Sequence, residues 1–477
     1  MKIQYFLFLS LICFAFGADE LKFVVEVFRH GHRSPLRELS FFDSVSWPKG
    51  FEELTAMGQR MHYLLGQLLR EKYIVEQNLL DENYNQKQIY IRSTDYTRTI
   101  MSAQSQLLGI YGAGNVTKLT EKQIEMSKPF MDLTIDEQII TELKSSAVPF
   151  DIVNFPIHAF GREYDDVILY DSCPLYGQIT ELSKTSTDYK DVIIRNQEFF
   201  KQLAQILEFD YKILNQGANA YYLADSLISA DFDCRRPEGI TDQMMQNIKE
   251  ISFQFDSAVY LPKQYPIMKN LTMYGFAREM NKYFNQSVQN DMTDRNNLRF
   301  VFYSTHDTTL QTFLAGLEHP ATNIIPYSSN LIFELYKRED SKEHYVKVFY
   351  NGEDLNIFGK TENEMEYEEF LTALNETAVK DYAEECKIKK DKVSKTKLEN
   401  LLRSEWDKEE KEESDEDDKK KEEEISNLRK SIVCVSLVVF LTMLGFLLLA
   451  RDVRKQKRQN NKQNSSPFKL INNTLQI

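Results

Sequence analysis

The sequence predicts an α/β domain carried on a single membrane anchor, and three observations lead there. Short runs rich in Val, Ile, Phe and Tyr recur at Leu21–Phe28, Gln88–Ile91 and Leu298–Tyr303, each leading into a polar, charged motif. They have the profile of buried strands, and a helical pattern between the first two makes a sheet covered by helices. Ser431–Ala450 holds 20 residues and no charge, enough to cross a bilayer core of about 30 Å as a helix.

The elements follow in chain order. Residues 1–17 place one lysine before a short apolar run and end on small residues, the pattern of a secretory signal peptide. The first strand, Leu21–Phe28, opens into FRHGHRSP, with Arg29, His30, His32 and Arg33 crowded together. Gly31 permits a sharp turn there, and Pro35 stops regular structure. In FEELTAMGQRMHYLLGQLLREKY, Leu54, Met57, Met61, Leu64, Leu65 and Leu68 fall near helical spacing, predicting an amphipathic helix that lays this stripe on the sheet. QIYI leads into RSTDYTRT, with Arg92 at the strand end and Asp95 and Arg98 just beyond. LRFVFY leads into STHDTT, with His306 and Asp307 at a third strand end. Ligands of open α/β sheets bind outside the carboxyl ends of the strands, so these motifs outline one candidate site.

Charge is unevenly divided. The net charge is −14, yet residues 451–477 carry seven Lys/Arg against one Asp, which leaves −20 on residues 18–386. So acidic a domain excludes nucleic acid or an anionic membrane surface as a partner held by bulk charge. Residues 387–430, with the block EEKEESDEDD, lack the apolar content for a core and read as a charged stalk. The basic residues after Ala450 put the tail, 451–477, in the cytosol and make the chain single-pass type I. Of five cysteines, Cys13 lies in the signal peptide and Cys434 in the membrane segment 431–450. Cys173, Cys234 and Cys386 remain, in an oxidising compartment where a disulfide is expected. Sequons at Asn115, Asn270, Asn285 and Asn375 are candidate glycosylation sites; Asn472 also fits the pattern but falls in the cytosolic tail.

The crowded cations need a partner. His30 and His32 have the spacing of a metal pair, but arginines bracket both, and fixed cations repel a dication; no metal or other cofactor is expected. A phosphate group fits better. Three arginines from two strand ends can fork onto its oxygens. A neutral imidazole among them can attack phosphorus, and Asp307 can supply the acid a leaving oxygen needs. His62, His158, His319 and His344 stand alone and read as structural.

KFVVEVFRHGHRSP, WPKGFEELTAMGQRMHYLLG, YIRSTDYTRTIMSA and FYSTHDTT, in this order, resemble the histidine acid phosphatases, above all their lysosomal and prostatic branch, from about Leu21 to Cys386. The resemblance implies a mixed central sheet flanked by helices, with a smaller, mainly helical lobe inserted at about 165–265 of the 18–386 ectodomain. It makes His30 the nucleophile that forms a phosphohistidine and Asp307 the proton donor. Arg29, Arg33 and Arg92 would bind phosphate, with His306 as a further donor. The implied reaction is metal-independent hydrolysis of phosphate monoesters with water as final acceptor.

Departures from the family pattern are local. His32 stands where the relatives usually carry aspartate. Asn330 stands where the resemblance expects the cysteine partner of Cys234, so it implies one disulfide, Cys173–Cys386, and a free or buried Cys234. The tail lacks the tyrosine sorting motif of the lysosomal relatives, leaving lysosome, secretory pathway and cell surface open. A homodimer also stays open. Two other functions are compatible with the chain: a catalytically inactive receptor or adhesion ectodomain, and a phytase-like or lipid-phosphate phosphatase. Loss of Arg29, His30 or Asp307 would have favoured the first, and all three are present.

Overall fold

Strand β1 (Glu20–Arg29) runs through the interior of an eight-stranded sheet. Every residue of it beyond Glu20 is buried, which is why its sequence reads as one apolar run. The side chains still alternate. From Phe23 on, Phe23, Val25 and Val27 enter one core and Val24 and Phe28 the other, while a register shift before Phe23 puts Leu21 with the second set.

The computed structural model describes residues 19–386, apart from 42–46, 113–117, 128–136, 171, 217 and 290–296. The expected signal peptide, stalk, membrane segment and tail, and the Asn115 sequon, lie outside the described residues. Among the described residues, no helix is long and apolar enough to cross a membrane.

After β1 come α1 (Ala56–Arg70), β2 (Ile89–Thr94), α2 (Thr97–Tyr111), the short α3 (Glu121–Met126) and α4 (Glu137–Leu143), and β3 (His158–Phe160). A helical stretch follows: α5 (Pro174–Ser183), α6 (Thr187–Arg195), α7 (Gln197–Ile206), α8 (Asn219–Phe232), α9 (Asp242–Tyr260) and α10 (Ile267–Gln289). The chain then re-enters the sheet as β4 (Phe300–Thr305), α11 (Asp307–Gly316), β5 (Asn330–Lys337), β6 (His344–Tyr350), β7 (Glu353–Asp354) and β8 (Met365–Glu366), closing with α12 (Tyr367–Glu376) and α13 (Tyr382–Glu385).

Strand order is β3-β2-β4-β1-β5-β6-β7, with β8 on β6. β3, β2, β4 and β1 are parallel and the others antiparallel, so the sheet is mixed. Register brings the ends together: Arg29 stands beside Thr305, and Ser93 beside Ser304. Helices α6 to α9 surround a core of their own, with Tyr189, Phe200, Leu223, Ile248 and Phe255 inside it. Cys173, at the start of α5, is bonded to Cys386 just after α13, their Cα atoms 5.0 Å apart. Cys234 is free, and it is exposed rather than buried.

Helix α1 forms where its pattern predicts, but it buries a different face. Leu64 and Leu68 are 51% and 69% exposed, while Gly58, His62, Gly66 and Leu69 turn inward. The reason is close approach. A Cβ at Gly66 would run into the backbone of Gln106 on α2, and one at Gly58 into the backbone of His32. Two backbones that near each other leave no room for the leucine stripe.

Candidate active site

His30 follows directly on β1. Its backbone N–H donates to Thr305 at 2.9 Å, which pins it across the β1–β4 gap. Its Nδ1 lies 2.8 Å from the Gly31 carbonyl. A carbonyl only accepts, so Nδ1 carries the proton and Nε2 keeps a free lone pair. Burial, then Arg98, Arg29, Arg33 and His306, hold the ring well below the usual histidine range, so it stays neutral into acid pH.

Three arginines surround it. Arg29 reaches Asp307 at 2.6 Å, donates to the Ile325 carbonyl and lies over the Tyr327 ring at 4.1 Å. Arg33 grips Asp225 of α8 with two bonds, 2.7 and 3.2 Å. Arg98, in the first turn of α2, contacts Glu52 at 3.1 Å and the Tyr96 ring at 4.4 Å. The Nε atoms of all three are buried without a partner. Such concentrated, under-satisfied cation donors suit an anion.

Arg92 is placed differently. β2 runs on to Thr94, two residues past it, so Arg92 lies within the strand and its side chain follows the sheet alternation. It points with Tyr90 toward Tyr303 and Glu279, pairs with buried Asp165 at 2.8 Å and covers Phe160 at 4.3 Å. Its Nε is also unpartnered, so an orphaned donor does not separate the two arginines; the charges acting on His30 do, and they include Arg98. The signal for Arg98 was present in RSTDYTRT. A residue in the first turn of a helix aims its side chain back toward the preceding strand end.

His306 caps the start of α11, its Nε2 3.0 Å from Thr94 Oγ1 and its ring 5.6 Å from that of His30. Asp307 is the first residue of α11 and accepts from the Thr308 N–H at 2.9 Å. His32 has both ring nitrogens engaged elsewhere. Its Nδ1 meets the Thr55 hydroxyl at 2.8 Å and its Nε2 donates to Ser229 at 3.0 Å, a clasp between α1 and α8. Beside Arg29 and Tyr327 opens a largely apolar cavity of about 490 Å³, walled by Ile228, Phe232 and Ile324. Asn375 is exposed, and Asn270 and Asn285 are half-buried. Among the described residues no group of three or more His, Cys, Asp or Glu is arranged to hold a metal.

Sequence reasoning missed the residues that hold the cluster in place. Asp225 and Ser229 come from a helix nearly 200 positions away, and nothing local marks them. His62 donates to the carbonyl of Arg29 and meets Gln106 on its other nitrogen, at 3.1 and 2.9 Å.

A mixed sheet whose parallel strands end in His30, three arginines and a His-Asp pair defines a histidine phosphatase. The chain belongs to the histidine phosphatase superfamily (branch 2), whose family model matches residues 20–351. It is 26% identical over 393 residues to the lysosomal acid phosphatase of Homo sapiens, covering 78% of this chain and 81% of that protein. It is 25% identical over 352 residues to the prostatic acid phosphatase of Bos taurus, with 70% and 78% covered. The structure resembles the phytase of Citrobacter braakii, TM-score 0.52 at 14% identity, over 78% of this chain and all (100%) of that one. The apo form of Hafnia alvei phytase gives 0.51 at 14%, over 78% and 98%. At that identity the likeness is one of fold.

Proposed function

We propose that this chain is an acid phosphatase that hydrolyses phosphate monoesters through a phosphohistidine on His30, without a metal. The observation that carries the reading is the bare Nε2 of a buried, neutral His30 among three arginines. Arg29, Arg33 and Arg98 take the phosphate oxygens; Arg98 replaces Arg92 in the expected set, because Arg98 stands among the charges acting on His30 while Arg92 faces Asp165 and Phe160. His306, its Nε2 engaged by Thr94, offers Nδ1 as a further donor. Asp307 protonates the leaving oxygen, and water then releases phosphate from His30. The low affinity of His30 for protons suits acid pH, where a nucleophile must still be unprotonated.

The lysosomal acid phosphatases among the relatives support a lysosomal or secretory compartment. With the 1–17 and 431–450 segments, they favour a type I protein whose catalytic domain is lumenal. The test is a rapid quench with a 32P-labelled monoester at neutral to alkaline pH. An acid-labile, alkali-stable label on the wild type, missing from His30→Ala, is the expected result. Full turnover by His30→Ala would refute the assignment.

A further inference from the structure

A general acid must hold a proton, yet Asp307 Oδ2 lies 2.6 Å from the Arg29 guanidinium. Burial opposes its ionisation, but Arg29, Arg33 and His306 outweigh burial and hold the carboxyl below its ordinary range. In the free enzyme such a group has no proton to give.

A second carboxyl beside it is unused by the phosphate chemistry. Asp256 lies on α9 next to Ser257, whose hydroxyl accepts from Gln311 at 3.1 Å. Gln311 sits one turn beyond Asp307 on α11, so this bond ties the turn of α11 that follows Asp307 to the turn of α9 that carries Asp256. Asp256 Oδ1 is shut off from solvent and has no hydrogen-bond partner. Burial, then the charge of Asp307 and that of Asp225, push Asp256 well above the carboxylate range, against the opposing pull of Arg29 and the bond from Tyr221. Neighbouring carboxyls of this kind resist ionising together; they titrate as a pair.

We propose that Asp256 stores the proton that Asp307 delivers. The two carboxyls share one proton, which rests on Asp256 in the free enzyme and moves to Asp307 when a bound phosphate draws Arg29 away. The Asp256 O–H bond breaks as the Asp307 O–H bond forms. Asp307 then protonates the leaving oxygen while the ester P–O bond breaks and a P–N bond forms at His30. In the second half, water attacks phosphorus, Asp307 takes its proton, the P–N bond breaks and the proton returns to Asp256. Asp256 never touches substrate; it is a positioning residue acting through Asp307, and the inference rests on Asp307 being the general acid.

The test compares pH profiles of full-length wild type, Asp256→Asn and Tyr221→Phe on 2-glycerol phosphate and p-nitrophenyl phosphate. Asp256→Asn should lose roughly tenfold or more on the alkyl ester at pH 5, within the ~10²–10⁴-fold that general-acid catalysis supplies, and much less on the nitrophenyl ester. Its alkaline limb on the alkyl ester should move to lower pH. Tyr221→Phe removes a bond that favours ionised Asp256, so its limb should move to higher pH; this holds even if Asp256→Asn folds poorly. Limbs that coincide with wild type would overturn the proposal and mean that the proton arrives with the substrate. Equal losses on both esters with an unmoved limb would overturn it too, leaving Asp256 a packing role. A wild type that hydrolyses neither ester would instead remove the phosphatase reading beneath it.

Discussion

Replacing Glu26 by Gln should make the protein more stable at alkaline pH and leave it nearly unchanged in acid. Glu26 lies in the middle of β1, completely buried. Its Oε1 is 2.8 Å from Asn330 Nδ2 and its Oε2 2.6 Å from the Gln106 amide, which in turn reaches His62. Both His62 nitrogens face acceptors as the amide stands, which would need a charged His62 and a charged Glu26. Turning the Gln106 amide satisfies the same contacts with no charge. Glu26 then donates to Gln106, Gln106 donates to His62 Nδ1, and His62 Nε2 donates to the Arg29 carbonyl.

Burial drives both groups to that neutral state. It raises Glu26 from 4.5 to about 8 and lowers His62 from 6.5 to about 4. The folded protein therefore keeps a proton on Glu26 that the unfolded chain loses above 4.5, so this stability is present in acid and drains away as pH rises through about 8. At about 1.4 kcal/mol per pH unit the whole effect is about 5 kcal/mol, an upper bound. His62 works the other way: its contribution, about 3 kcal/mol, is present above 6.5 and lost as pH falls through about 4. Between 4.5 and 6.5 the two slopes cancel, giving a plateau on the acid side. Gln at position 26 keeps the hydrogen bonds and has no proton to lose. Urea unfolding at pH 5, 7 and 9 should show the variant gaining on wild type by up to several kcal/mol across the series. A difference that stays constant with pH would mean that Glu26 is already ionised in the folded protein, and the reasoning fails.

The two arginines of RSTDYTRT should separate cleanly: Arg98→Gln should lower kcat/KM for a phosphate monoester by roughly 100-fold or more, the scale of one lost charge-stabilising donor. Arg92→Gln should chiefly lower the melting temperature by stranding Asp165, and the reverse assignment of losses would restore Arg92 to the phosphate site. Asp225→Ala leaves Arg33 buried without its partner, which typically costs about 3–5 kcal/mol; added inorganic phosphate should recover part of this in a thermal melt, and no phosphate effect would argue that Arg33 does not face the anion. Gly58→Ala should fail to fold or lose most activity, because its Cβ would press on the backbone of His32; a normal yield of active protein would show that α1 can move off the catalytic loop.

Much of the site was legible in the sequence because its chemistry is attached to local features. A strand end, a turn glycine and a helix start lie within a few residues of each other, so FRHGHRSP and STHDTT mark His30, Arg29, Arg33, His306 and Asp307 as candidates without reference to the rest of the chain. The strands were readable for the same reason, since burial on both faces leaves an uninterrupted apolar run. Tertiary structure decided what depends on direction and on distant partners. Where β2 ends determines whether Arg92 points along the sheet face or out past its edge, and two extra strand residues turned it to Asp165. Which face α1 buries was set by the backbones of α2 and the catalytic loop, which only glycine can approach so closely, and not by the leucines that gave the helix its period. Asp225, Ser229 and Asp256 reach the strand ends only because α8 and α9 fold back over them, a proximity created by packing and therefore absent from any short stretch of sequence.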